Sequence, residues 1–483
     1  MDGSDTGTRR NLTRMPDPRL VIGVLALAGM SASFMQTIVL PIQSELPELL
    51  DASRSDTAWV ITATLLSASV VTPIAGRLGD MYGKRRVALA LLAVLVAGSV
   101  VAALSTSVAM LIAGRALQGA VIGVIPLGIS ILRDVLHEDR LGGAIALMSA
   151  TLGVGGAIGL PISAIVSENL DWHALFWLAA ALGSLNLVLV LAVVPVSVIR
   201  TPGRFDWLGA IGLTIGLGTL LLALSRGNEW GWGSPITLGL AGGGVAVLAI
   251  WGALELRTRD PLVDLRVAAR PPVLLTNLAS VAFGFALFSA NIVFPQLLEL
   301  PVATGVGLGL GLLAASLVLM PSGLTMMVMA PIAARLQRRF GPRLLLITGA
   351  LILVVSYGIS YFFAVGWWQV LVINVLIGVG IGLGYAAMPT LIMRAVPATE
   401  TAAANGLNSL MRSLGTSLAS AAIGALLAVY SVEVDGVQLP TAEGFQLTFV
   451  FGAAAALAGA LLAVFIPQRA EGDARPSLPD GVA

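Results

Sequence analysis

Cysteine is absent from the chain, which excludes disulfides and thiolate metal sites. Histidine occurs twice, at His137 and His173, with no acidic partner at ligand spacing, so no metal centre is expected. No GxxxxGK[ST] segment is present, which argues against ATP as an energy source. Charge is scarce as well: Asp, Glu, Lys and Arg make up 11% of the residues, against about 25% in a soluble domain. The acids present avoid the apolar runs, and none lies deep in any of them.

What fills the chain instead is apolar. Of 483 residues, 57% are hydrophobic, and the mean hydropathy is +0.93, a composition that belongs in a bilayer. Runs near or above the roughly 20 residues needed to cross the hydrocarbon begin near residues 20, 57, 87, 108, 144, 174 and 207. Seven more begin near 236, 273, 307, 344, 368, 404 and 446, giving fourteen spans and an all-α, polytopic membrane protein. The first run follows Arg9, Arg10, Arg14 and Arg19 but exceeds a signal-peptide core and lacks an A-x-A-like site, so it reads as a signal-anchor.

Basic loops stay on the cytoplasmic side of a membrane. With both ends inside, the inner connections hold 23 of the 27 Lys and Arg residues, and the outer ones hold only Arg54 and Arg226. The remaining two, Arg115 and Arg412, fall within apolar runs. The expected location is therefore the cell (plasma or inner) membrane, multi-pass, with both termini cytoplasmic.

A sequence repeat organises these spans. PIAGRLGDMYGKR at 73–85 and PIAARLQRRFGPR at 331–343 are identical at seven of thirteen positions, and each closes a long apolar run. Such a pair marks the duplication of a membrane-embedded half. The first copy follows the second span and the second follows the tenth, so eight spans separate them. Two six-helix bundles with an inserted pair satisfy that spacing: 20–195 and 273–466 as the bundles, 196–272 as the inserted pair with its linkers, and 1–19 and 467–483 as short cytoplasmic tails.

Several segments carry candidate chemistry. In GRLGDMYGKRRV, Gly76, Gly79 and Gly83 permit a tight reversal and close helix approach, Asp80 can accept hydrogen bonds at a helix terminus, and Lys84, Arg85 and Arg86 face anionic headgroups. Arg115, some seven residues into the fourth span, costs roughly 2.5–3.5 kcal/mol or more at mid-membrane unless paired or wet, so it must face the bundle interior. A structural arginine satisfied by carbonyls and Gln118 is the alternative. In LGVGGAIGLPISA, Gly155 and Gly159 lie four apart for close packing, and Pro161 frees a carbonyl and bends its helix. Gln36, Phe283, Phe288, Asn291, Met326, Met327, Tyr385 and Met388 could line an apolar cavity with scattered hydrogen-bonding groups. Arg412 with Asn405 and Asn408 forms a polar stripe on the thirteenth span that a neighbouring helix can satisfy, and no substrate role is assigned to it.

The loop at 76–87 resembles the signature loop of the major facilitator superfamily, and the helix number, DWHALFW at 171–177 and MPSG at 320–323 resemble its fourteen-helix drug:proton antiporter branch. That resemblance implies a latch of Gly76, Asp80, Gly83, Lys84 and Arg85 with Asp134. It implies proton transfer near Arg115, Gln118 and Gly119, and an exporter-type fifth helix at Gly155, Gly159 and Pro161. The chain departs from the branch at Met35, where many members carry an acid, so the first span cannot supply the proton-carrying carboxylate. Asp134 with Arg115 is then the expected coupling network, and Glu299 a further candidate acid. The implied function is proton-coupled efflux of hydrophobic or amphipathic compounds by alternating access, with no cofactor beyond the proton gradient and no enzymatic chemistry. The implied partners are small substrates, protons and the lipid bilayer, with no nucleic acid, and the chain is expected to act as a monomer. A dedicated exporter of an endogenous lipid or secondary metabolite, or a non-transporting membrane sensor, are the other readings.

Overall fold

The computed structural model describes residues 17–43, 45–196, 199–201, 203–434 and 437–467. Among the described residues, fourteen helices are long and apolar enough to cross a membrane. In chain order they are α1 (Pro18–Thr37), α2 (Arg54–Tyr82), α3 (Lys84–Ala103), α4 (Val108–Val135), α5 (Glu138–Asn169), α6 (His173–Val193) and α7 (Trp207–Trp230). After them come α8 (Pro235–Glu255), α9 (Pro271–Glu299), α10 (Leu312–Phe340), α11 (Pro342–Phe363), α12 (Trp367–Ala395), α13 (Thr401–Val429) and α14 (Ala442–Val464). A hairpin of β1 (Ser431–Val434) and β2 (Val437–Pro440) joins the last two.

Local chemistry fixes where these helices begin. The side chains of Ser53, Ser107, Asp206, Ser234 and Thr441 each accept a backbone N–H of the helix that follows, filling one of the orphan donors at its first turn. The two copies of the sequence repeat occupy equivalent junctions. Gly83 separates α2 from α3 with φ of 106°, and Gly341 separates α10 from α11 with φ of 80°. A side chain is strained in that backbone region, which explains why glycine is one of the seven shared residues.

Packing divides the helices into two bundles. α1–α6 enclose one apolar core that includes Leu25, Ile38, Leu92, Val121 and Phe176, and α9–α14 enclose another that includes Phe283, Phe294, Leu346 and Ile381. The bundles meet along α5 against α10 and along α2 against α13. The pair α7–α8 packs on itself, and α7 lies against both α2 and α13, so it covers that second seam. Near its end, Arg226 pairs with Glu229 and sits 4.8 Å from the Trp59 ring on α2.

α4 is not a uniform helix. A 3-10 turn at Ala120–Gly123 interrupts it, and a Cβ at Gly119 would stand 2.2 Å from the Thr64 carbonyl oxygen of α2. α5 runs unbroken through Pro161, and Gly155 and Gly159 press it onto α1, where Cβ atoms would lie 2.3 Å from the Met30 oxygen and 2.2 Å from the Thr37 hydroxyl. Lys84, Arg85, Arg335, Arg338 and Arg339 all lie at one end of the bundles, called the basic face below.

Candidate functional site: a gate between the bundles

On the basic face, the end of α2 is set into the start of α13. Gly76 lies so close that a Cβ there would be 2.5 Å from the Ala402 carbonyl oxygen. Asp80, one turn on and 1% exposed, accepts the backbone N–H of Ala403 at 2.9 Å and that of Ala402 at 3.3 Å. The carboxylate thus occupies the N-terminus of a helix of the other bundle, where orphan N–H groups and the helix dipole favour negative charge.

Lys84, the chain's only lysine, secures this carboxylate from its own side. Its ammonium donates to Asp134 on α4 at 2.6 Å and lies 4.0 Å from Asp80. All three groups are buried, so the charges are weakly screened. Further bonds cross the same seam: Arg133 donates to the Thr401 hydroxyl, and the Thr201 hydroxyl, in the linker after α6, donates to the Thr399 carbonyl. The Thr201 amide donates to the Asp80 carbonyl at 2.8 Å. Arg85 instead points at α6, where it donates to the Leu191 carbonyl. Along α5 and α10, a Cβ on Gly143 would lie 3.8 Å from that of Ala334. The bundles are therefore closed against each other at the basic face.

Chain-wide comparison identifies the architecture that owns this gate. The Major Facilitator Superfamily model matches residues 25–419 and, in a second alignment, 276–481. The chain belongs to the Major Facilitator Superfamily. Lincomycin resistance protein LmrB of Listeria monocytogenes is 28% identical over 464 residues, covering 93% of this chain and 97% of the relative. The tetracenomycin C resistance and export protein of Streptomyces glaucescens is 28% identical over 422 residues, covering 86% and 76%. Among solved structures, the proton:xylose symporter XylE shares the fold, with a TM-score of 0.65 at 14% identity over 93% of this chain and 96% of that one. This superfamily member is a multi-pass membrane transporter and not an enzyme. Its fourteen helices, signature loop and drug-resistance relatives are those of the fourteen-helix drug:proton antiporter branch.

Within the transporter, Arg115 is buried and held by neutral acceptors. Its guanidinium donates to the Met35 carbonyl at 2.9 Å, the Val60 carbonyl at 3.4 Å and Gln118 at 2.8 Å, and Gln118 donates in turn to Ser99. Asp134 is not among its partners. The two residues lie on one span 19 residues apart, which at a rise of 1.5 Å per residue is roughly 28 Å. The expected Arg115–Asp134 network is thus corrected: Asp134 belongs to the gate, and Arg115 ties α4 to α1 and α2.

The residues expected to line a cavity are divided by the structure. Gln36 and Phe288 are half-buried and Asn291 is exposed. Phe288 borders a small cavity of about 30 Å³ between α2, α7, α9 and α13, lined also by Thr62, Ser225, Thr416 and Ser420. Phe283, Met326, Tyr385 and Met388 are buried in helix contacts instead. Glycines on facing helices make their sockets: a Cβ on Gly384 would stand 2.1 Å from the Phe283 ring, and one on Gly153 2.0 Å from the Met326 sulfur. Ser280 donates to the Met388 sulfur at 3.1 Å. Met327 is exposed, as is Glu299 at the last turn of α9. His173 stacks on Trp172, bonds Asp171 and reaches the Ser105 carbonyl, which braces a connection at the end opposite the basic face.

Two features escaped the sequence. The partner of Asp80 is the backbone of α13, for which the signal was the Pro397-Ala-Thr-Glu400 start of that helix. The stripe of Arg412 lies on a helix at the bundle seam, where the guanidinium sits 4.9 Å from the Tyr385 ring centroid.

Proposed function

We propose that the protein is an exporter of hydrophobic or amphipathic compounds, working by alternating access and driven by the proton gradient. The basic face is the cytoplasmic one, both termini lie there, and the protein acts as a monomer in the cell membrane. The observation that carries this reading is the charged gate: Asp80 on the α13 N-terminus, with Lys84 beside it paired to Asp134, closes one face of two duplicated bundles. Relatives named for lincomycin resistance and tetracenomycin C export support the direction.

Coupling is assigned to the gate because every Asp and Glu in a spanning helix lies within two residues of that helix's end. Protonation of Asp134 or Asp80 removes the charge that Lys84 and the α13 terminus hold, and so favours separation of the bundles at that face. The carboxylates then rebind a cation and a helix terminus when the proton leaves, which links proton movement to the closed state.

Reconstitution into proteoliposomes with an imposed pH gradient tests the reading. Substrate and proton fluxes in opposite directions are expected, with uncoupled or abolished flux in Asp134→Asn. Full proton-driven transport by a folded Asp134→Asn protein would exclude the coupling role, and absence of counterflow would exclude transport by this route.

A further inference from the structure

The spanning core of this protein is asymmetric in charge. Its acids are confined to helix ends, within two residues of them, while two arginines lie deep: Arg115 seven residues into α4, and Arg412 eleven residues into α13 with seventeen still to follow. Arg115 donates to two backbone carbonyls and a glutamine oxygen, the partners of a structural arginine.

Arg412 is bound differently. It is 7% exposed, and its guanidinium donates to the Ser409 hydroxyl at 2.8 Å and, at a long 3.4 Å, to the Asn408 side-chain Oδ1. Its face lies 4.9 Å from the Tyr385 ring. The Asn408 amide nitrogen donates on to Asn277 at 3.0 Å and Ser280 at 2.6 Å. No carboxylate meets Arg412 among the described residues. A guanidinium carries five N–H donors in a fork that matches a carboxylate, and the structure supplies it only neutral partners. Leaving such a cation without an anion in low dielectric is costly, and the cost is recovered when an anion arrives.

The surroundings connect this cation to the seam. Thr416, one turn beyond Arg412 on α13, borders the small cavity shared with Thr62, Ser225 and Phe288. On α9, Gly284 packs on the Arg412 backbone, and Phe288 stands one turn farther along the same helix. At about 30 Å³ that cavity has room for about one water, so the bundles must separate before a larger molecule reaches the arginine.

We propose that Arg412 is the docking cation for an anionic group of the substrate, and that the transported compounds are amphipathic organic acids rather than lipophilic cations. This rests on the exporter reading and narrows its substrate class. Tyr385 is the positioning residue, keeping the guanidinium plane turned toward the seam.

The test compares 1-pyrenebutanoic acid with 1-pyrenebutanamide, which has the same ring and chain without the charge. Binding to the full-length protein in nanodiscs is read by energy transfer from tryptophan, against empty nanodiscs. Wild type should bind the acid about tenfold more tightly than the amide, a difference of about 1.4 kcal/mol. Arg412→Gln should erase that preference by weakening the acid alone, and Arg412→Lys should keep part of it. Equal affinity of wild type for acid and amide overturns the proposal, and this comparison needs no variant to fold. An unchanged preference in Arg412→Gln overturns it too. Proteoliposome flux of the same compounds and of ethidium separates the two readings. Acid bound selectively but not moved contradicts export and leaves the anion site standing. Ethidium moved while the acid is neither preferred nor moved supports export and overturns the anion site.

Discussion

The Asp80 carboxylate of α2 accepts the Ala403 amide of α13 at 2.9 Å across 323 residues of chain. A buried carboxylate at a helix N-terminus is worth up to about 2 kcal/mol, enough to bias two states of similar energy. Asp80→Ala should therefore open the basic face. Because the chain has no cysteine, a single Ala402→Cys reports this directly: it should resist a water-soluble maleimide when Asp80 is present and react when Asp80 is replaced.

Gly76 makes the same contact possible by lacking a side chain. Gly76→Val should hold the bundles apart at the basic face and abolish transport while the protein still inserts, because the obstacle is the backbone of Ala402. Gly239, with nothing within 4 Å of its Cβ position, supplies the control: Gly239→Ala should transport at the wild-type rate.

The Lys84–Asp134 pair should behave as a buried ion pair. Removing Asp134 leaves Lys84 with only the more distant Asp80, so Asp134→Asn should lower stability by about 3 kcal/mol, whereas the double variant Lys84→Gln with Asp134→Asn, in which Asp80 keeps the α13 N-terminus, should recover part of the loss. Thermal unfolding in one detergent, read for wild type, Lys84→Gln, Asp134→Asn and the double variant, checks the sign of this coupling.

Arg115 should prove a structural tie. Arg115→Ala takes the guanidinium from the Met35 carbonyl and Gln118, while the Val60 carbonyl keeps the Thr64 hydroxyl, at a cost of about 1–3 kcal/mol, and Arg115→Lys, with one ammonium for three acceptors, should restore only part of it. Thermal stability is the readout.

The repeat and the composition made the fold legible. A glycine shared by both copies marks the two junctions that need positive φ, and long apolar runs with charge at their ends mark the spans. The gate was half legible. Lys84 and Asp134 belong to a recognisable loop and helix end, and Asp80 was legible as an acceptor at a helix terminus, but its partner depends on where α13 starts in space, which no local pattern encodes. Phe283, Met326, Tyr385 and Met388 fit a cavity wall as a group although packing is the safer reading for any one of them, and the glycines that bury the first two lie on other helices. The separation of Asp134 from Arg115 could have been read from the helical rise alone.

The central claim is that the bundles must part at the basic face for transport. Gly143 on α5 and Ala334 on α10 test it most directly, because their Cβ positions lie 3.8 Å apart, the mean spacing of a disulfide. In Gly143→Cys/Ala334→Cys, oxidation should cross-link the bundles and stop export, and reduction should restore it. Export at an undiminished rate by the fully cross-linked protein would contradict the account.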